Sequence, residues 1–219
     1  MNGMNQEKMD IADVLEKRKV QRFFKRLMDI VVSGAALFVL WPALAVLALL
    51  IVIDDPGPVF FRQVRVGRGG KTFRIFKFRT MVVDADKKGL QITVGRDNRI
   101  TRVGALLRKT KLDELPQLIN VFCGEMSFVG PRPEVPRYVE LYTPYQRQVL
   151  LAQPGITDYA SIAYRNENDL LAASDDPEKT YIDEIMPAKI ELNMKYLREI
   201  SPLTDIRLIV STILAVIRG

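Results

Sequence analysis

The chain has 219 residues, a formal net charge of +6, one cysteine (Cys123) and no histidine. That length buries one good core with an added lobe or membrane segment, and the charge suits an anionic partner: a bilayer surface, a nucleotide or a nucleic acid. The composition excludes a disulfide framework, a thiolate metal cluster, Ser-His and Cys-His nucleophile pairs and histidine-containing zinc sites, so acid–base chemistry falls to Asp, Glu, Lys or Tyr.

Residues 1–21 read as a polar tail of mixed charge, either loose or the start of an amphipathic helix. Next comes an uncharged run, 30–53, long enough for a straight helix to cross a bilayer, since ~20 apolar residues span the hydrocarbon. Its flanks argue otherwise. Lys17, Arg18, Lys19, Arg22, Lys25 and Arg26 precede it, and Arg62, Arg65, Arg68, Lys71, Arg74, Lys77 and Arg79 follow it. A true span carries its Lys/Arg excess on one side only. Trp41-Pro42 stands at the midpoint, where proline removes a backbone donor and kinks or breaks a helix. Each half, at about twelve residues or roughly 18 Å, is too short to cross alone. The pattern over 22–53 predicts a re-entrant helix-break-helix, with arms at 22–40 and 43–52 and its break at Pro42, entering and leaving by the cytoplasmic face. A plain transmembrane helix with a tolerated proline is the alternative. A signal peptide is not expected, because the run is long, starts late and lacks a small-residue cleavage pattern.

Asp54-Asp55-Pro56-Gly57-Pro58 is a stop-and-turn cluster, after which strands are predicted over 59–66 and 72–78, joined by Gly67-Arg68-Gly69-Gly70. Helices are expected at 103–109, at 114–122 with Gly124 ending it, and at 143–152, where Thr143 caps and Pro144 takes the first position. Asp176-Pro177 opens another helix, 187–200 a long one and Ser201-Pro202 the last; 156–164 is ambiguous between strand and loop. With no internal repeat, the expected fold is a helix-rich α/β or α+β unit with a short β-hairpin. The cytoplasmic domain would occupy 54–201. The final segment, 202–219, has a narrow polar stripe at Thr204, Arg207, Ser211, Ala215 and Arg218. It fits an interfacial amphipathic helix and a packed core helix equally well.

Asp113-Glu114 is the strongest candidate for chemistry. Adjacent carboxylates ahead of a helix meet the positive end of its dipole, which keeps them ionised. Asp as N-cap with Glu in the first turn is also ordinary helix grammar. What favours chemistry is the company: Arg108, Lys109 and Lys111 just before, and Gly130-Pro131-Arg132-Pro133-Glu134 after. Two prolines stiffen the backbone around Arg132, and guanidinium suits bidentate phosphate binding. Residues 71–79 interleave cations with Phe73, Phe76 and Phe78, as a base-stacking surface does, and equally as a half-buried strand beside a phosphate pocket or headgroup layer does. There is no P-loop, and no GxGxxG follows a strand.

Several stretches in one order resemble the bacterial sugar transferases, the monotopic phosphoglycosyl transferases. They are Lys25-Arg26-Leu27-Met28-Asp29 before the proline-interrupted segment, Phe61-Arg62-Gln63-Val64-Arg65-Val66-Gly67, Lys77-Phe78-Arg79-Thr80-Met81, 112–118, and Met126-Ser127-Phe128-Val129-Gly130-Pro131-Arg132-Pro133-Glu134. The likeness covers nearly everything after about residue 22. The family's hairpin break often reads Ser-Pro where this chain has Trp41-Pro42. The resemblance implies transfer of a sugar-1-phosphate from a nucleotide diphosphate sugar to polyprenyl phosphate, with UMP released, at the cytoplasmic face of the bacterial inner membrane. Carried onto this chain, Asp113 is the nucleophile that forms an aspartyl phosphosugar, and Glu114 its acid–base partner. Mg²⁺ sits near Asp113, and Arg108, Arg132, Lys77 and Arg79 bind phosphate. Partners are the two substrates and membrane lipid, not nucleic acid; a homodimer is left open. The chemistry is coherent, since a chain without histidine turns naturally to a carboxylate nucleophile, and an anionic diphosphate beside two carboxylates needs cations. A non-catalytic basic membrane-surface adaptor and a membrane-tethered nucleic-acid binder are the rival readings.

Overall fold

A computed structural model of the protein describes residues 10–85 and 97–217. A short helix, α1 (Ile11–Lys17), buries Ile11, Val14 and Leu15 beneath an Asp10 cap that accepts from the Ala12 amide. The expected polar tail therefore already carries core residues; its first nine positions lie outside the described residues.

The cations and the apolar run that follows them form one helix, α2 (Lys19–Asp54), of 36 residues. The expected interruption of the helix at Pro42 is corrected here: α2 is continuous in secondary structure across that residue. Proline removes only its own donor, and the neighbouring turns keep theirs, so the helix is retained on both sides. Both ends of α2 are tied down. Near its start Lys25 meets Asp205 at 2.5 Å, Arg26 donates to the Val121 and Phe122 carbonyls, and the Phe128 amide donates to Asp29. Near its end Leu44, Leu47, Ala48 and Ile51 pack with Phe78 and Leu107, and the Val103 amide donates to Asp54 at 2.8 Å. Between them the helix is bare: Phe38 is 80% and Trp41 62% exposed.

The predicted hairpin forms as β1 (Phe60–Val66) against β2 (Thr72–Phe78), antiparallel from Phe60↔Phe78 to Val66↔Thr72. Its turn needs left-handed backbone at Gly69 (φ 69°) and Gly70 (φ 77°), which glycine adopts without steric cost. Helix α3 (Arg102–Thr110) is capped by Thr101 and lies so close to the chain after β2 that a Cβ on Gly104 would stand 2.1 Å from the Thr80 carbonyl oxygen. Helix α4 (Gln117–Cys123) stops at Gly124 (φ 86°).

Two three-residue strands, β3 (Ser127–Val129) and β4 (Gly155–Thr157), pair in parallel. Between them lies α5 (Pro136–Val139), and the helix expected over 143–152 is a 3₁₀ stretch, Gln146–Leu151. The ambiguous 156–164 resolves into the end of β4 and α6 (Tyr159–Ala163). Then come α7 (Glu167–Ala172), α8 (Pro177–Thr180), α9 (Met186–Glu199) and α10 (Pro202–Ile217). Their shared core includes Tyr138, Leu171, Tyr181, Met194, Tyr196 and Leu197. Helix α10 buries Asp205 and Leu208 and exposes Leu203, Ile206, Val210, Ile213 and Leu214, so it is a core helix on one face and an uncovered apolar stripe on another. Arg218 of the expected polar stripe lies outside the described residues.

Candidate active site

The Asp113-Glu114 pair sits on a single 3₁₀ turn, Leu112–Glu114, between α3 and α4. Lys111 launches it from a left-handed conformation (φ 58°), and Leu112 anchors it in the cluster of Phe78 and Leu107. The pair thus precedes a helix, as the sequence indicates, and is held from below by apolar packing.

Glu114 is where three distant segments meet. From β2, Lys77 Nζ donates to Glu114 Oε1 at 2.8 Å. From the stretch after β3, the Arg132 guanidinium donates to both oxygens of the same carboxylate, Nη2 to Oε1 and Nη1 to Oε2. Burial by itself would push the Glu114 carboxyl up, but the Arg132 guanidinium and the Lys77 ammonium outweigh it and hold it far below the ordinary carboxylate range. A carboxylate kept ionised in this way is a poor proton donor near neutrality. In this structure it holds two cations, Lys77 and Arg132, in place.

Asp113 is the opposite case. It is 9% exposed, and Oδ1 is buried without a hydrogen-bond partner among the described residues. Burial pushes its carboxyl above the usual value; Lys77 opposes the shift and the Glu114 charge adds to it. Two adjacent carboxylates are therefore driven apart by their surroundings, one locked into ion pairs and one desolvated with an unengaged oxygen, an asymmetry typical of functional sites.

Arg108 lies across the turn, donating from Nε to Thr80 Oγ1 at 2.8 Å, and it acts electrostatically on Asp113. Arg79 has a different engagement: its guanidinium bonds to the side chain and carbonyl of Asp55, at the end of α2. The structure thus brings Lys77 and Arg132 together around Glu114 and places Arg108 within reach of the Asp113 charge. It assigns Arg79 to the turn that leaves the long helix.

Two supporting residues are absent from the candidates read in the sequence. Asn120, fully buried, accepts from the Phe76 amide at 2.9 Å and donates to the Arg74 carbonyl at 3.1 Å, fixing α4 against β2 and hence Glu114 against Lys77. Its signal is a polar side chain within the apolar run 118–122. Asp158, also fully buried, caps α6 through the Ser161 amide at 2.5 Å and accepts from the Arg132 amide at 3.1 Å. Asp158→Ala is expected to destabilise the fold by roughly 1–3 kcal/mol, the cost of stranding buried amides, and to loosen Arg132. Urea unfolding together with a kinetic assay measures both effects.

Over residues 20–219 the sequence matches the family model described as bacterial sugar transferase. The chain belongs to that family. Among curated bacterial sugar transferase relatives, it is 39% identical over 198 residues to the UDP-glucose:undecaprenyl-phosphate glucose-1-phosphate transferase of Escherichia coli K12, covering 89% of this chain and 40% of that one. It is 35% identical over 203 residues to the UDP-N-acetylgalactosamine-undecaprenyl-phosphate N-acetylgalactosaminephosphotransferase of Aeromonas hydrophila, covering 91% and 45%. With the exopolysaccharide production protein PSS of Rhizobium leguminosarum bv. phaseoli the identity is 40% over 199 residues, covering 87% of this chain and 94% of the relative. The chain spans less than half the length of the first two relatives, and nearly all of the third.

Proposed function

We propose that this bacterial sugar transferase moves a sugar-1-phosphate from a UDP-sugar to undecaprenyl phosphate, or another polyprenyl phosphate, and releases UMP, as a first membrane step of glycoconjugate or exopolysaccharide synthesis. The observation that carries the proposal is the buried Asp113 carboxylate with its unengaged oxygen, beside a Glu114 clamped between Lys77 and Arg132. The activities named for the E. coli and A. hydrophila relatives support it. An adaptor without chemistry gains nothing from a desolvated carboxylate, which costs stability.

In this reading Asp113 attacks the sugar-bearing phosphorus of the UDP-sugar. The bond from that phosphorus to the bridging oxygen breaks, its electron pair leaves on UMP, and an aspartyl phosphosugar remains. A phosphate oxygen of the lipid acceptor then attacks the same phosphorus and restores the Asp113 carboxylate. Arg132 and Lys77, oriented by Glu114, meet the diphosphate charge, and Arg108 lies on the Asp113 side. The residues fit a Mg²⁺ that arrives with its substrate. Among the described residues no three carboxylate or cysteine groups gather into a cage, and Mg²⁺ commonly takes one or two carboxylates with substrate phosphates and waters. Asp113 Oδ1 is the oxygen left for it, and when bound it would neutralise charge on the diphosphate.

Incubating the protein with UDP-sugar and Mg²⁺, but no lipid acceptor, should add one sugar-phosphate to the peptide bearing Asp113, read by intact and peptide mass spectrometry. Absence of the adduct, with kinetics that require both substrates bound together, would overturn the covalent route.

The same reading makes α2 re-entrant on the cytoplasmic face. Its two ends bind the same folded body, through Lys25–Asp205 at one end and Asp54–Val103 at the other, while the apolar middle stands uncovered. Attachment of both ends to one body supports a position on one side of a bilayer, and positive charge on both flanks agrees. The exposed stripe of α10 would lie in the interface beside it. Cysteines at Val20→Cys and Phe60→Cys, after Cys123→Ser, should both resist a membrane-impermeant reagent added to intact cells. Labelling of either one means a true span.

A further inference from the structure

At the foot of α2 lies a cavity of about 560 Å³ whose lining includes none of Asp113, Glu114, Lys77, Arg108 and Arg132. Its walls include Lys19, Arg22, Lys25 and Arg26 from α2 and Arg68 from the hairpin turn, and among the described residues no Asp or Glu contributes to them. Two of the five cations are neutralised, Lys19 by Glu16 and Lys25 by Asp205. The three guanidiniums make no ion pair among the described residues. Among the described residues Arg22 donates to the Leu15 carbonyl and feels the Glu16 charge that Lys19 already shares, Arg26 donates to the Val121 and Phe122 carbonyls, and Arg68 has no side-chain partner. Three arginines around one hollow repel one another unless an anion is present, and guanidinium forks match phosphate oxygens.

The position of the cavity says which phosphate. Phe23, 67% exposed, also lines it, and Phe24, Leu27 and Val31 continue an uncovered apolar surface along α2. A ligand here meets arginines at one end and an acyl-like surface at the other, which is the chemistry of an anionic phospholipid. The volume falls in the range of ordinary small-molecule sites. We infer that this cavity is a binding site for the phosphate headgroup of an anionic membrane lipid, which locks the base of α2 to the hairpin turn. The inference rests on the reading that α2 lies in the bilayer.

Flotation with neutral phosphatidylcholine vesicles tests the embedding of α2, and the wild type should float. Thermal unfolding in non-ionic detergent tests the cavity. Dioleoylphosphatidylglycerol should raise the wild-type midpoint by several degrees at saturation, whereas phosphatidylcholine and free glycerol phosphate should not. Arg68→Gln, a change at an exposed residue with no side-chain partner among the described residues, should reduce the response, and Arg22→Gln/Arg68→Gln should abolish it. Each cation near an anionic surface is worth roughly 5-fold in binding, so the double variant should need roughly 30-fold more lipid for any given shift. UMP release in detergent should be unchanged. The inference fails if the double variant responds like wild type, if neutral lipid or free glycerol phosphate gives the same shift, or if no lipid gives one. A selective rise in KM for polyprenyl phosphate in Arg68→Gln would also overturn it, by assigning the cavity to the acceptor substrate.

Discussion

Asp113→Asn is expected to abolish turnover and, in the same protein, to raise thermal stability. The first effect follows from the chemistry: an amide does not displace UMP from phosphorus, and a chain without histidine has no ready substitute nucleophile. Loss of a covalent nucleophile is felt at on the order of 10⁴-fold or more. The second follows from burial. The Asp113 carboxyl is pushed above its ordinary value by desolvation, so the folded state holds this proton more tightly than the unfolded chain does. Stability from this group is full below the unfolded pKa and is lost as pH rises through the folded one. At neutral pH the wild type bears that cost, and the uncharged asparagine removes it. A gain of ~1 kcal/mol raises the midpoint by roughly 2–4 °C in a domain of this size, and the gain should shrink as pH falls toward the ordinary carboxylate range. UMP release and thermal scans at several pH values read both effects. An inactive variant that is also less stable would mean that Asp113 is a structural cap rather than a strained nucleophile.

The parts of this fold that sequence reading reached are those written in local grammar. Gly67-Arg68-Gly69-Gly70 between two alternating runs declared the hairpin, because the turn needs positive φ at Gly69 and Gly70 and the strands need period two. Asp176, Pro202 and Gly124 mark helix ends as capping chemistry requires. What escaped depends on distant partners. The parallel pairing of Ser127–Val129 with Gly155–Thr157 involves three residues on each side, too few for periodicity to register. Helix α2 continues through Pro42 because proline deletes a single donor while the turns on either side keep theirs. The site divides in the same way. Asp113, Glu114 and Arg132 were legible as residue types, whereas the partner of Glu114 from β2, the capture of Arg79 by Asp55, and the bracing by Asn120 and Asp158 are contacts across more than twenty residues each.

Glu114→Gln should slow turnover on the order of 10²-fold, the scale on which a misplacement of about 1 Å is felt, and should move the acidic limb of the pH–rate profile to lower pH. The reason lies in what Glu114 holds. Its two oxygens take Arg132, and one of them also takes Lys77. Glutamine keeps one acceptor but no charge, so both cations lose their anchor. Removing one partner of a buried pair costs roughly 3–5 kcal/mol; the Arg132 side chain is 35% exposed, which discounts this to roughly 1–3 kcal/mol. Asp113 feels the change directly: the neighbouring charge that raised its carboxyl is gone, and the Lys77 charge that lowers it is no longer offset. Its deprotonated form then persists to lower pH. Arg132→Lys should also lose most activity with the fold intact, since an ammonium keeps the charge but not the fork. Because the two residues act as one unit, the double variant should be little worse than the poorer single one. A general-acid role for Glu114 gives a different pattern: the basic limb would flatten, the acidic limb would stay in place, and the Arg132 effect would add to the Glu114 effect instead of merging with it.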